Sequence, residues 1–274
     1  MKRGWLRRLW SRVESALLWA YVLSLLWVLG YAVVPPVVTP LMVWRMLEGA
    51  LQGHWVGIER EWVPVERISP SLLRALIAAE DARFAFHYGF DWRAIQQARQ
   101  RNERLKGRRL YGASTISMQT AKNAFLLPLR SYLRKAVEAY LTVLLETFWG
   151  KRRILEVYAN IVEWGDGIYG AEAAARRYFG VPARQLTERQ AALLAAVLPN
   201  PRRWSPVQPT PYIIRRSAWV RARMPVVTLP EELRFRRSRA LLPGDEPLEL
   251  LGSELHVAPL GKEMLDPIAL VLAR

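Results

Sequence analysis

Two adjacent carboxylates, Glu80 and Asp81, follow a run of apolar residues and precede a stretch rich in aromatic residues. Apolar surroundings disfavour the charged form of a carboxylate, which raises its pKa and makes a glutamate usable as a general base or acid. The ordinary alternative is that Glu80 or Asp81 only pairs with a nearby arginine, Arg83 or Arg93. This stretch alone leaves both interpretations open.

A second cluster combines cations with one carboxylate. Arg134 and Lys135 precede Glu138 by four and three residues, so the three side chains share one face of a helix. Pairing of Arg134 with Glu138 is common on solvated helices and needs no functional explanation. Alternatively, the cations bind a diphosphate while Glu138 orients one of them or a metal ion, because transfer of a sugar from a diphosphate requires stabilisation of the departing charge. Lys122 and Asn123 could extend that site.

The elements that position these residues are predicted to be helices, since capping residues, apolar residues at helical spacing and helix-breaking residues alternate along the chain. The predicted helices are Ser69 to Phe86, Asp91 to Gly107, Ser114 or Thr115 to just before Pro128, Ser131 to Trp149, Lys151 to Glu163, Ala171 to Phe179, and Thr187 to Leu198. A buried stripe from Val137 to Phe148 is expected on the longest helix. The RNERLKGRR stretch is predicted to be an exposed loop and GDGIYG a turn. After Pro206 the pattern predicts only short strands or irregular chain.

The N-terminus is predicted to be a membrane anchor. Five basic residues precede Ser15–Val34, an uncharged stretch of the roughly 20 residues that cross a bilayer, and Pro35 and Pro36 follow it. The positive-inside rule places the N-terminus in the cytoplasm. A cleaved signal peptide is the alternative, but the apolar run is long for one and no small-residue cleavage site follows it. Residues 37–51 are expected to lie at the bilayer interface.

Composition limits the classes of function. The chain of 274 residues is 51% hydrophobic and can bury the core of one medium domain. Its net charge of +16, carried mostly by arginine, indicates an anionic partner, although an arginine-rich genome would give the same excess. Absence of cysteine excludes disulfides, cysteine-ligated zinc and thiol catalysis. The predicted organisation is a cytoplasmic segment (1–14), an anchor (15–36), a juxtamembrane segment (37–65), a catalytic domain (66–224) and a C-terminal extension of unknown structure (225–274).

Read in order, the motifs resemble those of the peptidoglycan glycosyltransferase family. The matching stretches are EDARFAFHYGFD at 80–91, GASTISMQTAKN at 112–123, RKAVEAYLTVLLE and KRRILEVYANIVEWGDGIYGAEAAARRYFG within 134–180, and LTERQAALLAAVLPNPRRWSP at 186–206. The resemblance covers about residues 66–220, and the monofunctional biosynthetic transglycosylases are the most similar branch. It implies a mainly α, lysozyme-like domain of two lobes with one N-terminal transmembrane helix.

The resemblance also implies a reaction and a role for each matching residue. The lipid-diphosphate-linked disaccharide-peptide (lipid II) donor is transferred with inversion to the 4-hydroxyl of an acceptor, and Glu80 matches the general base. Glu138 matches a second carboxylate near the donor phosphates. The remaining matches are the phosphate-binding cations Lys122, Arg130, Arg134 and Lys135 and the donor-side residues Ser114, Thr115, Gln119 and Asn123. Met118 departs from the glutamine usual in the family.

Cofactor, partners and location follow from the same resemblance. We expect a divalent cation, magnesium or manganese, and no organic cofactor. Expected partners are lipid II, the growing glycan strand, the membrane and other cell-wall synthesis proteins, with no nucleic acid. The expected location is the bacterial cytoplasmic (inner) membrane, crossed once, with the catalytic domain on the periplasmic side. A transpeptidase is excluded because no Ser-x-x-Lys or Lys-Thr-Gly occurs.

Two other functions remain as alternatives. A lytic muramidase-like enzyme shares a lysozyme-like fold and a catalytic glutamate, but it would need no cationic diphosphate site. A basic nucleic-acid-binding membrane protein would suit the charge and the 12 tryptophans, but the anchor argues against it.

Overall fold

The computed structural model describes residues 3–105, 111–129 and 131–234. Its α-helices are α1 Arg3–Val33, α2 Pro40–Leu51, α3 Pro70–Glu80, α4 Trp92–Arg104, α5 Ile116–Phe125, α6 Tyr132–Phe148, α7 Gly150–Ile161, α8 Ala171–Phe179, α9 Glu188–Val197, α10 Pro211–Arg223 and α11 Glu231–Arg234. The strands are β1 Glu59–Arg60, β2 Glu163–Gly165 and β3 Ile168–Tyr169. The predicted mainly α class is confirmed. Of the C-terminal extension, residues 235–274 lie outside the described part.

Polar side chains set the helix starts where the sequence predicted them. Each of the following N-cap residues accepts a backbone hydrogen bond from the first turn of its helix: Ser69, Asp91, Thr115, Ser131 and Thr187. Thr187 also forms the predicted capping box with Gln190. These caps fix the start of the helices that carry the candidate site.

Three predicted helices end earlier in the structure. Helix α7 ends at Ile161, not at Glu163, which begins β2. Helix α3 ends at Glu80, not near Phe86, because Asp81 leaves the helical conformation and uses its side chain elsewhere. Residues Phe84–Phe86 form a separate 3-10 turn. Helix α4 ends at Arg104, so the first residues of the predicted basic loop are helical, while residues 106–110 lie outside the described part.

The C-terminal third contains structure that the sequence did not predict. Helix α10 begins after the N-cap Thr210, with Pro211 at its first position, and packs on α9 and α3. Only Ile213 and Val220 of this helix are buried, while arginines occupy many other positions. This pattern is too sparse to stand out in the sequence. The predicted turn GDGIYG is a hairpin in which β3 pairs antiparallel with β2 and parallel with β1.

The buried stripe predicted on α6 is only partly correct. Leu141 and Leu145 are buried, but Val137 and Phe148 are 37% and 44% exposed, and Val143 is 53% exposed. Helix α6 packs on α5 and α7 on one side and on α1 on another. An apolar face of α6 therefore remains uncovered.

The C-terminal third of α1 packs on the domain. Ser24 Oγ lies 2.9 Å from the hydroxyl of Tyr140, and the Trp149 indole donates a 2.8 Å hydrogen bond to the carbonyl of Val28. The rings of Trp27 and Tyr31 contact Phe125 of α5, with centroids 5.3 and 5.4 Å away. Helices α5 and α6, which carry most candidate site residues, thus touch the predicted anchor directly.

Arg153 of α7 holds the end of α1. Its guanidinium donates to the carbonyl of Tyr31 at 2.8 and 3.1 Å and to that of Val34 at 3.1 Å. The remaining nitrogen pairs with the buried Glu156 at 2.9 Å. The last carbonyls of a helix lack partners within the helix, so a cation there satisfies them and interacts favourably with the helix dipole.

Arg153→Ala is expected to lower the free energy of unfolding by about 2–4 kcal/mol, because it removes charged hydrogen bonds and leaves the Glu156 carboxylate buried without this partner. The matched control is Arg152→Ala, which breaks only the half-exposed pair with Glu66 and should cost less than about 1 kcal/mol. Denaturant titration in detergent micelles measures both. Equal losses for the two variants would contradict the role assigned to Arg153.

Candidate active site

Glu80 is the last residue of α3, and its carboxylate is largely buried between two other elements. Gln119 of α5 donates a 2.9 Å hydrogen bond to Oε2, and Arg216 of α10 lies 3.8 Å from Oε1. Tyr158 of α7 donates to the Gln119 amide oxygen at 3.3 Å, which fixes the amide orientation. Among the described residues, Glu80 Oε1 is buried and has no hydrogen-bond partner. One oxygen is therefore held in place while the other is available to a ligand.

Burial raises the pKa of Glu80 above its usual 4.5, while the hydrogen bond from Gln119 and the charges of Arg216 and Lys122 act in the opposite direction. Burial also raises the pKa of Tyr158 well above its ordinary value, so its hydroxyl keeps the proton that it donates. A carboxylate whose pKa is raised in this way is a better proton acceptor than an exposed glutamate.

The arginine that pairs with Glu80 is Arg216, not Arg83 or Arg93 as the ion-pair alternative supposed. Arg83 pairs with Asp91 at 3.0 Å. Asp81 has a structural role, since its carboxylate accepts a 3.0 Å hydrogen bond from the backbone of Ile116 and lies 2.9 Å from the His87 ring. Of the two adjacent carboxylates, only Glu80 is available for chemistry.

Glu138 lies with the predicted cations. It is 2% exposed, and its two oxygens contact Arg134 and Lys135 of the same helix. Lys135 also reaches Ser114 Oγ at 3.4 Å. Because Glu138 is buried and binds two cations at once, this cluster is more than a solvated helix pair. Arg130, which was predicted to belong to it, lies outside the described residues.

A cavity of about 340 Å³, here called the cation cavity, joins these residues to α2. Gln119, Lys122, Asn123 and Arg134 line its polar side, and the rest of its wall is formed mainly by leucines and prolines, with Arg45 of α2 and Glu163. Burial lowers the pKa of Lys122, an effect opposed by the charge of Glu138. A cationic end beside an apolar wall suits a ligand with a phosphate group and a hydrocarbon chain.

Glu80 lines a second cavity of about 420 Å³, here called the Glu80 cavity. Ser114, Thr115 and Trp219 are among its lining residues. The Thr115 hydroxyl is already used, since it accepts from Met118 N and donates to Gly89 O at 2.6 Å. Glu80 lines this cavity and Gln119 lines the cation cavity, so their hydrogen bond lies between the two.

The structure thus brings together all predicted site residues that it describes. Sequence reasoning missed Arg216, which sits on the unpredicted helix α10. Its signal was weak because it is one of several arginines in IIRRSAWVRAR, and nothing in that pattern distinguishes it from Arg215.

Arg216→Gln is expected to move the acidic limb of the pH profile of kcat/KM to higher pH. Removing this cation takes away an effect that lowers the pKa of Glu80, so the carboxylate would take up its proton at a higher pH. Arg215→Gln is the matched control, because its side chain is exposed and it neighbours the target. Coincident acidic limbs for both variants and the unaltered protein would contradict this coupling.

Among the described ranges, no group of three or more histidine, aspartate or glutamate side chains could hold a metal ion. Both oxygens of Glu138 already contact cations. The reaction steps proposed below do not depend on a metal.

Comparison with known proteins extends these observations. Residues 49–225 match the protein family described as Transglycosylase. A biosynthetic peptidoglycan transglycosylase of Rhodospirillum centenum is 54% identical over 220 residues, which cover 80% of this chain and 92% of the relative. Proteins of that name from Caulobacter vibrioides and Pseudomonas fluorescens (strain SBW25) are 56% identical over 190 residues and 52% over 219. These alignments cover 69% and 80% of this chain, and 80% and 90% of the relatives.

Proposed function

This chain belongs to the peptidoglycan transglycosylase family, and on that premise we propose how its residues carry out the reaction. The protein is a glycosyltransferase that polymerises peptidoglycan glycan strands. A lytic muramidase is not favoured, because the similar proteins are biosynthetic and the cation cavity has no purpose in simple hydrolysis.

The observation that carries the proposal is the buried Oε1 of Glu80, which has no hydrogen-bond partner among the described residues and belongs to a residue that lines a cavity. In the proposed mechanism the 4-hydroxyl of the acceptor donates a hydrogen bond to this oxygen and transfers its proton to it. The hydroxyl oxygen forms a bond with the anomeric carbon of the donor as the bond from that carbon to the diphosphate breaks. Attack on the face opposite to the leaving group inverts the configuration.

The electron pair of the broken bond goes to the diphosphate oxygen. Lys122, Arg134 and Lys135 supply positive charge there, and Glu138 holds the last two in place. Preorganised charges of this kind stabilise a transition state without reorganisation during the reaction. A diphosphate is a good leaving group once neutralised, so a single base is sufficient on the acceptor side.

Glu80→Gln is expected to reduce polymerisation of the lipid-linked donor by about 10² to 10⁴, the usual contribution of a general base. The same variant should be more stable at neutral pH. The folded carboxyl holds its proton more tightly than the unfolded one, so the stability of the unaltered protein falls as pH rises from 4.5 through the raised pKa. A gel assay of glycan products and denaturation at several pH values measure both effects.

Glycan synthesis by Glu80→Gln at the rate of the unaltered protein would overturn the assignment of the base. Because the variant is expected to gain stability, a loss of activity could not be attributed to unfolding. Ser217→Ala serves as a control, since its hydroxyl is bonded only to the carbonyl of Ile214 one turn earlier on α10.

We also propose that α1 crosses the membrane with its N-terminus in the cytoplasm, so that the domain faces the periplasm. Arg8–Val33 is long and apolar enough to span a bilayer, and the basic residues before Ser15 support the orientation. Only about 15 Å of helix separates Glu14 from Ser24, where contact with the domain begins, whereas the hydrocarbon core is about 30 Å thick. The domain would therefore sink into the outer leaflet.

The uncovered face of α6 supports this position. Leu133 and Val143 are 75% and 53% exposed, and Tyr132 is almost fully exposed. An exposed apolar surface next to a membrane-spanning helix is typical of contact with lipid. The cation cavity would then open at the level of the lipid headgroups, where the diphosphate of a lipid-linked donor lies.

We propose that magnesium or manganese, if carried by the donor diphosphate, adds to charges that the protein already supplies. EDTA is expected to slow polymerisation less than about tenfold, whereas Lys122→Met should cost about 10² to 10³. Arg99→Met is the control, because it removes an exposed cation of α4 that lines neither cavity. Complete loss with EDTA that magnesium restores would contradict this prediction.

A further inference from the structure

A third cavity, here called the charged cavity, has a volume of about 500 Å³ and adjoins the cation cavity. Its polar lining consists of Arg45, Glu163, Asp166, Asn200, Arg202 and Arg203. The two cavities share Arg45 and Glu163 as well as two prolines. None of the polymerisation chemistry above uses these charged side chains, so their presence needs another explanation.

The charged side chains form a network of ion pairs, in which one buried acceptor has no partner among the described residues. Arg45 lies 2.7 Å from Glu48 and 3.3 Å from Glu163 Oε2, while Arg202 lies 3.2 Å from both Glu48 and Asp166. The Glu163 side chain is only 7% exposed, and its other oxygen, Oε1, is buried with no hydrogen-bond partner among the described residues. An unpaired buried acceptor is costly unless a ligand or water satisfies it.

A ligand that donates a hydrogen bond to Glu163 Oε1 would therefore be bound favourably. The arginines that line the cavity favour a ligand with carboxylates. Arg203 lines the cavity with an exposed side chain. A ligand that combines N–H groups with carboxylates would match both. The lipid-linked donor carries such a group, because its peptide is attached to the same sugar ring that bears the diphosphate.

We propose that the charged cavity binds the peptide of the donor, with a peptide N–H donating to Glu163 Oε1 and a peptide carboxylate contacting Arg203. The proposal rests on the proposed function, since it places the donor diphosphate on Lys122 and Arg134. With the diphosphate there, the peptide-bearing side of the sugar can turn toward the shared wall of Arg45 and Glu163. The cavity is thus a specificity site for the peptide.

The test compares two donors that differ only in the peptide: the complete lipid-linked disaccharide-peptide, and the same molecule with a free carboxyl in place of the peptide. The measured quantity is the ratio of their kcat/KM values. The unaltered protein is expected to favour the complete donor by at least about tenfold, the effect of one charged hydrogen bond. Glu163→Gln and Arg203→Gln should each lower this ratio at least about fivefold, mainly through the KM of the complete donor.

Arg99→Gln is the control, because it removes an arginine from an exposed pair on α4 that lines none of these cavities. Equal use of both donors by the unaltered protein would overturn the proposal, as would variants that lose activity on both donors to the same extent. If Glu163→Gln fails to fold, Arg203→Gln decides the question, because its exposed side chain tolerates substitution. Failure of the proposed function is recognised separately, by full activity of Glu80→Gln on either donor.

Discussion

The hydrogen bond from Ile116 N to the carboxylate of Asp81 joins the end of α3 to the start of α5. Glu80 and Gln119 lie one residue before and three residues after these two positions, so their contact depends on that junction. The same carboxylate lies against His87, whose ring is buried. Asp81 thus sets the register of two helices whose side chains meet at the reacting centre. The position of Lys122, the cation of α5, depends on the same junction.

Electrostatics explains why the site needs so many partners. Burying Glu80 and Glu138 costs free energy, since each carboxylate loses its hydration. Glu138 recovers part of this cost through Arg134 and Lys135, whereas one oxygen of Glu80 has Arg216 3.8 Å away but no hydrogen bond within the described part of the chain. The two glutamates are therefore buried for different ends: one organises positive charge, and the other stays reactive because its environment does not fully satisfy it.

Much of this arrangement could be predicted from the sequence, because caps and spacing are local signals. Ser131 and the spacing of Arg134 and Glu138 predicted the cation face of α6 correctly. Arg216 could not be predicted, since its helix has only two buried residues and its approach to Glu80 depends on how α10 packs on α3. The exposed face of α6 was mistaken for core for a related reason: periodicity shows that a face is apolar, but not whether protein or lipid covers it.

The contact between α1 and the domain has a further consequence for how the reaction is supplied. A domain on a loose tether would sample a range of heights and tilts, but Arg153 and Trp149 hold this one to the last turns of α1. With α1 in the proposed membrane-spanning position, the search for substrate is reduced to diffusion in the plane of the bilayer. The enzyme then keeps a fixed height above the membrane, and the lengthening polysaccharide has to move past it.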